Sequence, residues 1–106
     1  MQPRFNIGAD LRSRLHRFFD PRDITGQWRS VDNTTSLYIY RNRKKYRHGG
    51  IHIKVTYRDG TSISSRIMRC FNSGYYCDLY GVVAMAYDAE CDVLWLSDYG
   101  DYIRKE

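Results

Sequence analysis

The sequence predicts a mainly β domain: a small antiparallel β-barrel of six to eight strands with one N-terminal α-helix. After Asp23 the apolar residues recur with a period of two, which is the spacing of half-buried strands. The chain is also rich in aromatic residues (ten Tyr, four Phe and two Trp), which pack well on a pleated surface. Its 106 residues are the size of one domain, with an N-terminal helix segment at 1–22 and the barrel at 23–106.

The segment 9–19 has the periodicity of an amphipathic helix. Four apolar residues fall on one face of such a helix: Leu11, Leu15, Phe18 and Phe19. Pro21 is expected to end it, because the residue before a proline disfavours helical geometry. We expect the apolar face to dock on the barrel; the alternative is a basic helix lying on an anionic membrane.

The clearest strand covers 51–58, where apolar and polar residues alternate. Asp59-Gly60 follows it and predicts a hairpin with a type I′ turn, in which both central residues have positive φ. The next strand, at 61–70, has an alternation that slips, which indicates a bulge. Further strands are predicted within 75–87, at 93–97 and at 99–105.

Charge is spread unevenly along the chain. Residues 1–70 hold 15 of the 17 Lys and Arg but only 5 of the 12 acidic residues, within a net charge of +5. One interpretation is that a basic and an acidic part of the barrel attract each other across adjacent strands. The other is that the basic part steers a polyanion.

The cysteines and the hydropathy predict a cytoplasmic protein without a transmembrane segment. An odd count of three cysteines argues against a secreted disulfide framework, and no apolar run is long enough to span a membrane. Cys70, Cys77 and Cys91 lack a C-x₂-C pair, so we expect buried free thiols and no metal. No cofactor is expected.

The sequence favours a protein that is not an enzyme, and no catalytic residue is assigned. It has no G-x-S-x-G elbow and no P-loop lysine. His52 is expected to point outward from its strand into solvent. Several carboxylates cluster towards one end of the chain and are interpreted as exposed solubilising charges: Asp88, Glu90, Asp92, Asp98 and Asp101.

The stretch 38–50 is the strongest candidate for a binding site. Five basic residues form a predicted hairpin tip: Arg41, Arg43, Lys44, Lys45 and Arg47. Three aromatic residues flank them: Tyr38, Tyr40 and Tyr46. Basic side chains hold phosphates and aromatic faces stack unpaired bases, so the tip predicts single-stranded nucleic-acid binding. The alternative is a solvated turn whose charges prevent strand-to-strand aggregation.

Gly26-Gln27-Trp28 resembles the G-x-W of lipocalin-like barrels. In that superfamily the Trp closes one end of the barrel and packs under an Arg from the last strand, and Arg104 stands where such an Arg would be. The resemblance implies that Gly26, Trp28 and Arg104 are barrel-closing residues. It also raises the alternative of a small apolar ligand inside the barrel, beside the small-residue face at Val82, Ala84 and Ala86.

A second resemblance covers residues 25–106. The stretches GQWRS, YYCDLYG, VAMAYDAECDVLWLSDYGDY and IRKE are similar to a family of small Bacteroidetes proteins encoded near conjugative-transposon genes. The family has no established activity, so the resemblance implies a genomic setting and no reaction. With surplus tyrosines, which are favoured at interfaces, the sequence predicts a non-catalytic interaction module with a protein partner of unknown identity.

Overall fold

Nine strands form a single antiparallel sheet that curves into a nearly closed barrel within the residues described, 15–42, 50–70 and 74–105. The computed structural model has strands β1 (Gly26–Ser30), β2 (Thr35–Asn42), β3 (Gly50–Tyr57), β4 (Ser62–Arg66), β5 (Met68–Cys70), β6 (Gly74–Asp78), β7 (Val82–Asp88), β8 (Val93–Leu96) and β9 (Gly100–Arg104). Their spatial order is β4-β3-β2-β1-β9-β8-β7-β6-β5. The mainly β, antiparallel prediction is therefore confirmed.

The strand count exceeds the predicted six to eight because the segment 61–70 is two strands. The ladder breaks at Ile67, whose N–H donates to the Ile51 carbonyl at 2.8 Å. Before the break β4 pairs with β3, and after it β5 pairs with β6. The slipped alternation marks the point where the chain changes partner. The Asp78 N–H then donates to Ser65 Oγ at 2.9 Å and joins the two ends of the sheet.

The β3–β4 hairpin differs from the predicted type I′ turn. Gly60 has φ +90°, but Asp59 is not among the residues with positive φ. The Gly60 N–H donates to the Tyr57 carbonyl at 2.9 Å, and the Tyr57 N–H donates to the Thr61 carbonyl at 2.8 Å. These bonds define a three-residue loop that ends in a left-handed glycine, so only one residue needs positive φ.

The described part of the predicted N-terminal helix is extended, so that prediction is wrong for 15–19; residues 9–14 lie outside the described residues. His16 and Tyr87 exchange two backbone hydrogen bonds of 3.0 Å. The edge of β7 offers unpaired backbone groups there, and pairing with them outweighs the helical periodicity. Phe19 still docks on the barrel, with its ring 5.0 Å from that of Tyr75. A 3₁₀ helix (Pro21–Ile24) then leads into β1, with Pro21 at its start.

The barrel interior is filled by one face of each long strand. The largest fully buried side chains include Trp28, Tyr102, Ile53, Met85 and Leu96. Burying an aliphatic side chain of this kind contributes about 1.5–3 kcal/mol, so these residues supply much of the stability.

The cysteines do not all share this core. Cys77 is fully buried, and burial raises the pKa of its thiol to about 12. Cys70 and Cys91 are exposed free thiols, which corrects the prediction of three buried ones. Their positions near the ends of strands or in a turn, where the alternation gives no inward direction, explain the difference.

Candidate nucleic-acid interface

Trp28 and Arg104 contact each other across the ladder that joins β1 to β9. They are register partners on β1 and β9, and the Arg104 guanidinium carbon lies 4.2 Å from the centroid of the buried Trp28 ring. Arg104 also donates to the carbonyls of Thr25 at 2.6 Å and Asp23 at 2.8 Å. Gly26 has φ +128°, and a Cβ there would lie 2.9 Å from Arg104 Nη1. All three predicted barrel-closing residues thus meet at one place.

Asp92 completes this cluster from the β7–β8 turn. Its carboxylate accepts from Arg104 Nε at 2.8 Å and from the Tyr87 hydroxyl at 2.6 Å. Hydrogen bonding from Arg104 lowers the Asp92 pKa. Asp88 is buried, and its Oδ1 accepts from the backbone N–H groups of Glu90 and Cys91. Asp88 and Asp92 therefore stabilise this turn, which corrects their interpretation as simple exposed charges.

The predicted small-residue face does not line the interior. Val83 and Met85 belong to the core, so Val82, Ala84 and Ala86 lie on the opposite face of β7. On that face Ala86 is also buried, at 5% exposure. Val82 is 73% exposed. On the inside, Trp28 and Met85 are fully buried, so the interior around them is packed with side chains.

The outer face of β2 and β3 carries a stack of three rings. Tyr38 and Tyr40 lie 5.0 Å apart between ring centroids with an interplanar angle of 20°. Tyr40 in turn stacks with His52 at 5.8 Å. His52 points outward as predicted, but it is only 7% exposed, so its description as solvated is wrong. Tyr38, at the open end of the stack, is 47% exposed.

Cationic side chains surround this stack. Lys54 is the register partner of Tyr38, and Arg66 is the register partner of His52. We call these five residues the tyrosine face: Tyr38, Tyr40, His52, Lys54 and Arg66. β2, β3 and β4 contain no Asp or Glu. The tyrosine face therefore has a positive potential that attracts anions.

The structure describes only part of the predicted hairpin tip. Arg43, Lys44, Lys45, Tyr46 and Arg47 lie outside the described residues. Arg41 is exposed at the end of β2, but it alternates with Tyr40 and so falls on the opposite side of the strand. Of the predicted binding residues, the structure thus brings together Tyr38 and Tyr40. Sequence reasoning missed Lys54 and Arg66. The signal that could have found them is their position on the outward-facing side of the neighbouring strands, beside the alternating Tyr38 and Tyr40.

Two ion pairs of the described residues each stay within one part of the chain. Arg22 pairs with Asp20 at 2.7 Å in the basic part, and Arg104 pairs with Asp92 at 2.8 Å in the acidic part. Neither pair joins the basic part to the acidic part, and neither offsets the charge of Lys54.

A second exposed surface is apolar and lies on the other half of the sheet. Tyr80 is 82% and Val82 73% exposed. Beside them is a groove of about 320 Å³ lined by Cys70, Tyr75, Tyr76, Val82 and Ala84. Exposed apolar surface of this kind is typical of protein contacts.

Two absences hold for the described ranges. No group of three or more His, Cys, Asp or Glu side chains there is placed to bind a metal ion. None of the helices in that part of the chain has the length and apolar character needed to cross a membrane.

These features define a small, nearly closed antiparallel β-barrel with a Trp–Arg contact between its first and last strands and an exposed aromatic, basic face. The chain belongs to the family described as "Domain of unknown function, B. Theta Gene description (DUF3876)", whose match covers residues 17–104. Neither the curated proteins nor the solved structures contain a match to the chain.

Proposed function

We propose that this protein is a non-catalytic binding module that holds single-stranded nucleic acid on the tyrosine face. The observation that supports it best is the exposed Tyr38–Tyr40 stack beside Lys54 on strands without carboxylates. Single-strand binders combine aromatic platforms with basic side chains in this way.

The geometry suggests how a strand would lie. One side of Tyr40 is occupied by Tyr38 and another by His52, so the accessible ring is that of Tyr38. A base stacked there would gain about 1–3 kcal/mol, a typical value for base–aromatic stacking. Lys54, directly across the ladder, would reach the adjoining phosphate.

The genomic setting belongs to the same proposal. Conjugative transfer uses single-stranded DNA, so linkage to a conjugative transposon would supply this ligand. We likewise propose a cytoplasmic location. Kinship with lipocalin-like barrels is a further proposal, supported by the contact between Trp28 and Arg104.

The test is fluorescence anisotropy with labelled single-stranded DNA from about 50 to 200 mM salt, where phosphate contacts weaken measurably. We expect Tyr38→Ala to weaken binding roughly 5- to 150-fold, the equivalent of one base–aromatic stacking interaction. Tyr80→Ala removes a more exposed tyrosine from the apolar surface and is the matched control. No binding at low salt, or equal weakening in both variants, would overturn the proposal.

Protein binding through the apolar surface is the second candidate, favoured by the exposure of Tyr80 and Val82. A pull-down from cells that carry a conjugative transposon would compare the wild type with the variant Val82→Asp. A protein captured by the wild type but not by Val82→Asp supports this candidate. Identical capture by both proteins, or capture of none, argues against it.

A further inference from the structure

A polar groove lies on the outer face of the barrel, next to the tyrosine face. Its volume is about 240 Å³, and three cationic residues line it: Arg29, Arg58 and Lys105. Ser36 and Thr56 contribute hydroxyl groups. This volume lies just below the roughly 300–1,000 Å³ of pockets for small organic molecules, which favours a phosphate group with part of its sugar over a larger ligand.

The sheet register explains why these residues meet. Arg29 on β1 is paired with Ser36 on β2, and Ser36 is paired with Thr56 on β3. Arg58 follows β3 in the hairpin loop, and Lys105 follows β9, where its N–H donates to the Gln27 carbonyl at 2.8 Å. Residues from distant parts of the chain thus form one row across three strands.

Three cations of the groove lie outside the ion pairs of the described residues. Neither of the two pairs found in that part of the chain involves Arg29, Arg58 or Lys105. Two carboxylates lie in the neighbouring turns, but each is engaged locally: Asp32 accepts from the Thr34 hydroxyl at 2.7 Å and Asp59 from the Thr61 hydroxyl at 2.6 Å. Asp101, on β9 near Arg29, belongs to neither of those ion pairs.

We propose that this groove is a phosphate-binding site. Guanidinium groups bind phosphate oxygens through paired N–H donors, and the two hydroxyls add further donors. The bound group is either a backbone phosphate of a polynucleotide or a free phosphate compound, since both present the same oxygens. The first alternative, a backbone phosphate, rests on the proposed function, whereas the second, a free phosphate compound, does not.

The groove adjoins the tyrosine face, and this favours a backbone phosphate of a polynucleotide as the bound group. Ser36 lines the groove and precedes Tyr38 by two residues on the same side of β2. Two residues along a strand span about 7 Å, close to the spacing of successive phosphates in an extended single strand. A base on Tyr38 and a phosphate in the groove therefore belong to neighbouring positions of one strand.

The experiment follows backbone amide chemical shifts of the full chain during three titrations: inorganic phosphate, oligothymidylate and sodium chloride as the ionic-strength control. Arg29→Gln with Arg58→Gln removes two groove cations. Arg22→Gln with Arg69→Gln removes two exposed arginines elsewhere and is the matched control. Circular dichroism checks that both double variants fold.

We expect phosphate or oligothymidylate, but not chloride, to shift the amides of Arg29, Ser36 and Thr56. If a backbone phosphate binds, the groove variant weakens oligothymidylate binding and lowers the salt slope by about 0.7 for each phosphate that it no longer neutralises, whereas the control variant keeps both. If free phosphate shifts these amides and oligothymidylate does not bind, the groove stands and the proposed function fails.

Two results would overturn the proposal that the groove binds phosphate. In the first, neither ligand shifts its amides beyond the chloride control. In the second, free phosphate leaves the groove amides unshifted and Tyr38→Ala weakens oligothymidylate binding, but the groove variant binds oligothymidylate like the wild type; the proposed function then survives without the groove.

Discussion

The guanidinium carbon of Arg104 lies 4.2 Å from the centre of the Trp28 ring, across the ladder that joins the first strand to the last. The same guanidinium binds two backbone carbonyls and the carboxylate of Asp92. One side chain thus ties together β1, β9, the segment before β1 and the β7–β8 turn.

Arg104→Ala is expected to lower the free energy of unfolding by about 2–4 kcal/mol, since it removes charged hydrogen bonds and a cation–π contact. Arg104→Lys keeps the charge but not the planar fork, so an intermediate decrease is expected. Urea denaturation followed by circular dichroism measures both. Arg22→Ala, which removes an exposed pair with Asp20, is the control and should change little. Equal effects at positions 104 and 22 would contradict the assignment.

Gly26→Ala is expected to destabilise the barrel more than Gly100→Ala. Both glycines have positive φ, +128° and +94°, so alanine is strained at either position, by about 1–3 kcal/mol. Only at Gly26 would the added methyl group also meet Arg104, whereas at Gly100 it would enter open space. Thermal unfolding of the two variants gives the comparison, and similar melting temperatures would show that the close approach costs nothing.

The Asp92 carboxylate should make stability depend on pH. Its folded-state pKa is lowered, first by hydrogen bonding from Arg104, so its contribution is full above the unfolded pKa of about 3.9 and is lost as pH falls through the lowered value. Asp92→Asn should therefore be less stable than the wild type near pH 7. The two proteins should converge as the pH falls below the lowered pKa of Asp92.

Urea titrations at several pH values between about 2 and 7 measure this dependence. Glu90→Gln, a change to an exposed residue of the same turn, is the control. A constant difference between the wild type and Asp92→Asn across this range would contradict the role of the ion pair.

The three thiols should differ in reactivity. Cys77 is fully buried and its pKa is raised to about 12, so almost none of it is thiolate at pH 8. Cys70 and Cys91 are exposed. A disulfide reagent such as DTNB should react quickly with two thiols of the native protein and with the third only after denaturation. The variant Cys70→Ser with Cys91→Ser should show no fast reaction, and a fast thiol in it would place Cys77 at the surface.

The sequence predicted the local features well because they depend on alternation and on single residue types. The period of two in 51–58 predicted β3, which spans Gly50–Tyr57, to within one residue at each end. The G-x-W stretch with a terminal Arg predicted the contact between Trp28 and Arg104. Both signals depend on which residues alternate or pair within a regular ladder.

The errors arose where a residue's partner lies far away in the chain. The segment 15–19 has helical periodicity, but the open edge of β7 makes it extended through His16. Asp88 is a different case, because its hydrogen-bond partners are the nearby backbone N–H groups of Glu90 and Cys91, yet its side chain is buried. The groove of Arg29, Arg58 and Lys105 has no sequence signature, because only the sheet register brings these residues together.

The order of the strands has a kinetic consequence. Every pair of hydrogen-bonded neighbours except β1 and β9 consists of strands consecutive in the chain. The entropy of closing a long loop is therefore concentrated in one seam, where Trp28 meets Arg104. If the hairpins form first and the seam last, changes at Arg104 will mainly accelerate unfolding and leave the folding rate nearly unchanged. The seam would then set the lifetime of the closed barrel.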